Sequence, residues 1–215
     1  MPAKVTLNGY LDELASSSPA PGGGSVAALS GALGAALTAM VCRLTIGKKK
    51  YASVEEEMKN VLRQAEKLRI RFVDLQELDT AAFSKVMEAY SLPKETDPQK
   101  ALRFSAVREA IKEATLVPLE VMKHCIDGLA LTRQVASAGN DNSVSDAGVA
   151  ALMLHAAAEG AALNVRINLS TLNDTDFVGW KSGEMESLLQ TCRKMLTETQ
   201  GVVDGKIEGE KLPTK

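Results

Sequence analysis

The chain has 215 residues, 45% of them hydrophobic and 24% charged, with a net charge of −2. That suffices for a real core in one large domain or two small ones, and a near-neutral balance excludes a broad basic surface for nucleic acid. Aromatic residues make up only 4% and Ala is abundant, which favours close-packed helices over sheets.

Val5, Leu7, Tyr10, Leu11 and Leu14 recur at helical spacing and predict a short amphipathic helix, ended by Ser16-Ser17-Ser18-Pro19. Residues 14–42 then carry no charge. Pro19-Ala20-Pro21-Gly22-Gly23-Gly24-Ser25 leads into a helix expected over 24–46, whose stretch 26–42 is almost wholly Ala, Leu, Gly, Val, Ser and Met. A helix apolar on every side must be buried on every side, so the others are expected to pack around it. An apolar run of this length could also span a bilayer. Its Pro-Gly-rich start and its weakly hydrophobic Ala and Gly argue against that, and Asp12 and Glu13 argue against a secretory leader. The expectation is a soluble cytoplasmic protein.

Lys48, Lys49, Lys50 and Tyr51 form a basic link, and Ser53 with Glu56 reads as a capping box. In the long helix that follows, Val61, Ala65, Leu68, Phe72, Leu75, Asp79, Ala82, Val86 and Ala89 make a seam at three- and four-residue steps. Asp97 and Pro98 are expected to cap the next helix, to about 137, with a kink or break at Pro118. Ser143 or Ser145 caps another Ala-rich helix to about 172, and Asn173-Asp174 caps a last one over 175–200, irregular near Gly179 and Gly183. The predicted fold is all-α, an antiparallel bundle of about six long helices around the buried Ala/Gly-rich helix. Residues 1–200 form a single domain, and 201–215 a flexible polar tail.

Asp79 is the sharpest chemical signal, as the one charged residue on the seam. Burying a carboxylate without partners raises its pKa, which suits a general acid or base; the plainer alternative is a carboxylate paired with a basic residue of another helix. The glycine run is neither a dinucleotide fingerprint nor a P-loop, yet the first turn of a helix leaves amides unpaired for anions or polar ligand atoms. The three lysines could cap a helix or bind carboxylates. They stand about 35 Å from the glycines along the helix, too far for one monoglutamate ligand to touch both. Gly139-Asn140, Ser145-Asp146, Asn164 and Asn168 are further candidates. Asn164 and Asn168 share a face, but Asp146 stands about 27 Å from Asn164, so one site within a single subunit cannot use both. His124 and His155 read as core or surface residues. Cys42, Cys125 and Cys192 are far apart and read as reduced core thiols without metal-ligand spacing.

These motifs together resemble the cyclodeaminase/cyclohydrolase family of folate enzymes. The resemblance rests on the Pro-Gly-rich loop and its Ala-rich helix, Val41-Cys-Arg-Leu-Thr-Ile-Gly-Lys-Lys-Lys-Tyr51 and Asp79-Thr-Ala-Ala-Phe83. It continues through Leu92-Pro-Lys94, Gly139-Asn140, Ser145-Asp-Ala-Gly148 and Asn164-Val-Arg-Ile-Asn168, in family order over about residues 5–200. It implies an all-α homodimer with folate sites near the subunit interface and neither metal nor nicotinamide cofactor. Hydrolysis of 5,10-methenyltetrahydrofolate to 10-formyltetrahydrofolate is the first expectation. Formiminotetrahydrofolate cyclodeamination is the alternative, and a non-catalytic ligand-binding helical dimer the alternative of another class. The family's proposed catalytic carboxylate matches Asp79. Weaker binding roles fall on Pro21, Gly22, Gly23, Gly24, Ser25, Lys48, Lys49, Lys50, Asn140, Ser145, Asp146, Asn164 and Asn168.

Overall fold

The computed structural model describes residues 6–209, which fold into six α-helices and two short 3-10 turns. The helices are α1 (Leu7–Leu14), α2 (Gly23–Thr45), α3 (Glu55–Ser91), α4 (Asp97–Ala138), α5 (Val144–Ser170) and α6 (Thr175–Gly209). No strand is present among the described residues.

α2, which carries no charge before Arg43 in its last turn, packs against α3, α4 and α5, which cover most of its apolar surface. Small residues permit this close approach: a methyl group on Gly31 would overlap the Phe72 ring of α3. From α2 onward, successive long helices run antiparallel. Arg43 of α2 pairs with Glu66 of α3, Arg71 of α3 with Glu120 of α4, and Arg193 of α6 with Glu159 of α5. By length and composition alone, α2 and the stretch Asp141–Ser170 could each cross a membrane, yet 61% of the apolar window of α2 is buried within the bundle.

The α3 seam divides into two lengths. Val61, Ala65, Phe72 and Leu75 are buried in the core, whereas Asp79, Ala82 and Val86 line an open cavity. Cys42, Cys125 and Cys192 are free and buried, and burial pushes the thiols of Cys42 and Cys192 up to about 11 and about 12, which keeps them protonated and unreactive.

Several local expectations are corrected. Ser53 lies in the 3-10 turn Lys49–Val54, and α3 starts one residue later without a side-chain cap. Its first turn carries Glu55, Glu56 and Glu57, which complement the helix dipole, and Lys59 holds the first two at 2.9 and 2.8 Å. Thr96, rather than Asp97, caps α4 in a reciprocal box with Gln99. Pro118 sits buried within an unbroken α4, because packing on both sides outweighs one missing N–H. Ser143 precedes α5 but makes no side-chain cap. α6 is continuous through Gly179 and Gly183 and extends to Gly209, burying Val203, so the expected tail is helical to that point. Residues 210–215 lie outside the described residues, as does Val5 of the predicted first helix.

Candidate functional site

A cavity of about 340 Å³ opens at the N-terminal end of α2. Its walls are Pro19, Ala20 and Gly22–Gly24 from the loop and first turn of α2, and Ile111 and Ala114 from α4. One stripe of α3 supplies Asp79, Thr80, Ala82, Phe83, Val86 and Tyr90, and the end of α5 supplies Asn164, Ile167, Asn168 and Thr171. The size and the mix of apolar walls with a few polar groups are those of a small-molecule site.

Asp79 lies directly against the start of α2. Gly24 is buried, and a methyl group there would overlap the Asp79 carboxylate, so only glycine leaves room for it. Burial pushes the Asp79 carboxyl above its ordinary value, while a hydrogen bond from the Ser25 backbone N–H pulls it down. Burial wins. No cation pairs with Asp79 among the described residues, so the pairing alternative is not the arrangement found. A half-buried carboxylate with a raised pKa and no ion-pair partner can take and return a proton.

The other predicted site residues divide by position. Gly22, Gly23, Gly24, Asn164 and Asn168 join Asp79 in the cavity. The Asn164 amide donates to the Gly160 carbonyl at 2.9 Å, and its Nδ2 lies beside Gly23, 3.7 Å from where a Cβ would stand. Ser25 is fully buried and its hydroxyl bonds the Tyr10 hydroxyl of α1 at 3.0 Å, so its side chain ties α1 to α2. Pro21, which follows a cis peptide bond, does not line the cavity.

Lys48, Lys49, Lys50, Asn140, Ser145 and Asp146 lie at the opposite end of α2. There Asn140 is buried, its N–H donates to Thr45 Oγ1 at 2.9 Å and its amide to the Leu44 carbonyl at 3.0 Å. Lys50 pairs with Asp141 at 2.8 Å. Lys206 of α6 reaches the same carboxylate at 2.9 Å, and the Tyr51 hydroxyl donates to it at 3.0 Å. This is a hydrogen-bonded brace between elements. Neither histidine lines the cavity: His124 faces Asp127 at 3.4 Å and His155 faces Glu159 at 3.6 Å.

Sequence reasoning missed Phe83, Val86, Tyr90, Ile111 and Thr171 as cavity walls. The seam carried a signal for α3: the stripe through Asp79 and Val86 continues to Phe83 and Tyr90 at helical spacing. Ile111 and Thr171 carry no comparable mark.

The sequence profile of the formiminotransferase-cyclodeaminase family matches residues 6–187. The chain belongs to this family. Within it, a methenyltetrahydrofolate cyclohydrolase of Methylorubrum extorquens is 49% identical over 88% of this chain and 91% of its own length. The formimidoyltransferase-cyclodeaminase of Mus musculus is 32% identical over 95% of this chain, but this chain spans only 38% of that protein. The crystal structure of a formiminotetrahydrofolate cyclodeaminase from Thermotoga maritima superposes with a TM-score of 0.86 at 31% identity, covering 95% of this chain and 98% of the other. The all-α bundle is therefore the fold of the formiminotransferase-cyclodeaminase family, and the cavity described above lies within the segment the family shares.

Proposed function

We propose that this member of the formiminotransferase-cyclodeaminase family is a methenyltetrahydrofolate cyclohydrolase, with Asp79 as its general acid/base. The observation that carries the reading is the unpaired Asp79 carboxylate, raised in pKa by burial and held against the first turn of α2 in a cavity of ligand size. The 49% identity to a cyclohydrolase, against about 32% to cyclodeaminases, favours hydrolysis over deamination.

5,10-Methenyltetrahydrofolate carries a cationic amidinium-like ring, which an anionic carboxylate attracts. Asp79 takes a proton from water as its oxygen bonds to the methenyl carbon, giving a neutral carbinolamine. Asp79 then returns a proton to N5 as the C–N5 bond breaks. The carbinol O–H proton leaves to solvent as the formyl C=O forms on N10. The balance is substrate cation plus water to 10-formyltetrahydrofolate plus one proton. Gly22–Gly24 and the two asparagines offer backbone and amide groups to a polar ring. This chemistry requires no metal or redox cofactor.

The likeness to a solved cyclodeaminase supports a second reading, in which N10 of 5-formiminotetrahydrofolate attacks the formimino carbon and ammonia leaves. Asp79 would then shuttle protons to the departing amine. Assay of both substrates side by side separates the two: the cyclohydrolase reading predicts the larger kcat/KM on the methenyl substrate. A larger value on the formimino substrate reverses the assignment. Turnover of neither overturns both readings and leaves a ligand-binding protein.

The chain also acts, in this reading, as a cytoplasmic homodimer. Its support is an apolar face that α2 and α5 leave exposed, with Leu33, Leu44, Val149, Leu152, Leu163 and Ile167. Ile167 belongs both to this face and to the cavity wall, so a second copy there would seat the site beside the interface. Sedimentation equilibrium tests it: the proposal predicts twice the chain mass, and Leu163→Glu reduces it to one.

A further inference from the structure

A cation with unused donors stands beside Tyr90, one of the walls of the cavity. Asp79, Phe83, Val86 and Tyr90 line it along one stripe of α3. Eleven residues separate Asp79 from Tyr90, about 16 Å of helix. Phe83 and Val86 between them are apolar, and Tyr90 is 42% exposed. A ligand whose reacting atoms meet Asp79 can run its remainder along Phe83 and Val86 toward Tyr90.

Arg103 of α4 lies over the Tyr90 ring, its guanidinium carbon 5.4 Å from the ring centroid. Its Nε donates to the Tyr90 carbonyl at 3.0 Å, which fixes the plane of the fork. Its terminal N–H groups meet no acidic partner among the described residues. Neighbouring cations are committed: Lys85 faces Glu113, Arg108 faces Glu109, and Lys112 holds Asp174. A planar guanidinium with free N–H groups, oriented by a backbone carbonyl and an aromatic face, matches a carboxylate.

We infer that Arg103, seated on Tyr90, binds the glutamate carboxylates of the substrate and is a specificity-determining residue for the tail. The assignment rests on the folate reading above. Folate carries its glutamate beyond a benzoyl ring, and its carboxylates stand about 10 Å from N10 on standard bond lengths. With N10 near Asp79 and the benzoyl ring against Phe83, Val86 and Ile111, those carboxylates fall within reach of an arginine side chain stacked on Tyr90. The assignment also gives the tail a cation on the same subunit, which Lys48–Lys50 at the other end of α2 do not supply.

The test compares 5,10-methenyltetrahydrofolate with 5,10-methenyltetrahydropteroate, which lacks the glutamate, in wild type, Arg103→Ala and Arg103→Gln. Arg103→Gln retains an amide donor for the Tyr90 carbonyl and so guards against misfolding of the alanine variant. Loss of a charge-assisted carboxylate contact is expected to raise KM about tenfold on the glutamate substrate, with kcat within about threefold. On the pteroate substrate, wild type and variants should share one KM, already raised by the missing tail. Arg103→Lys should recover part of the loss, since it keeps charge without the fork. Equal KM changes on both substrates, or none on either, overturn the assignment while leaving the hydrolase reading intact. Absence of wild-type turnover on both substrates overturns the two together.

Discussion

The two ends of α2 each hold an aspartate, and the contrast separates chemistry from bracing. At the N-terminal end, Asp79 faces an open cavity without a cation, and burial pushes its carboxyl up. At the C-terminal end, Asp141 is held by Lys50, Lys206 and Tyr51, which push its carboxyl well below the usual range. One residue type thus has opposite proton affinities at opposite ends of one helix, because one end supplies partners and the other withholds them. The unpaired end can exchange a proton with whatever occupies the cavity; the paired end joins the 3-10 turn, α5 and α6.

The largest expected break comes at Asp79. Asp79→Asn keeps the shape and removes the base, and loss of general acid/base catalysis should lower kcat by about 10²–10⁴-fold, measured by the decay of methenyl absorbance above the uncatalysed rate. Gly24→Ala should follow. The new methyl group must displace the carboxylate, so kcat/KM should fall about 10²-fold in the same assay, even where circular dichroism shows the helices intact.

Asp141→Asn sharpens the other side. It should lower stability by about 1–2 kcal/mol in urea unfolding at neutral pH while leaving kcat within about twofold. Because the fold depresses this carboxyl, the stability it lends is present above the ordinary aspartate value of 3.8 and is lost as pH falls below it. The loss caused by Asp141→Asn should therefore shrink in acid.

The smallest effect has the opposite sign. The fold raises Asp79, so it binds that proton more tightly than the unfolded chain does, and ionisation weakens the fold as pH rises from 3.8 through the raised value. Asp79→Asn should raise Tm by roughly 1–3 °C above that window and by nothing below it. A variant that is inactive yet slightly more stable would mark a position kept for function.

Much of this contrast was legible in the residues. A run without charge from 14 to 42, entered through Pro and Gly and rich in Ala, points to a buried helix in a bundle, and a lone carboxylate on an apolar seam stands out by its cost. The pairing of ends was not legible. Asn140 and Asn164 read alike in a sequence, but one is buried under α2's last turn and the other faces its first, a distinction made by the antiparallel course of α5. Likewise Lys50 reads as a ligand cation in the sequence, but Asp141, 91 residues away, holds it. The length of α6 was hidden for a local reason. Gly201 and Gly205 lower helix propensity, yet the open space beside them requires nothing larger, and buried Val203 holds that turn to the core.

The measurement that tests the central claim most directly is the pH dependence of kcat/KM on the methenyl substrate, taken beside an NMR titration of the Asp79 carboxyl carbon. Activity should fall on the acid side with the same midpoint at which Asp79 takes up its proton, and this midpoint should lie above 3.8. An Asp79 carboxyl that titrates at or below 3.8, or an acid limb that does not follow it, would contradict the account.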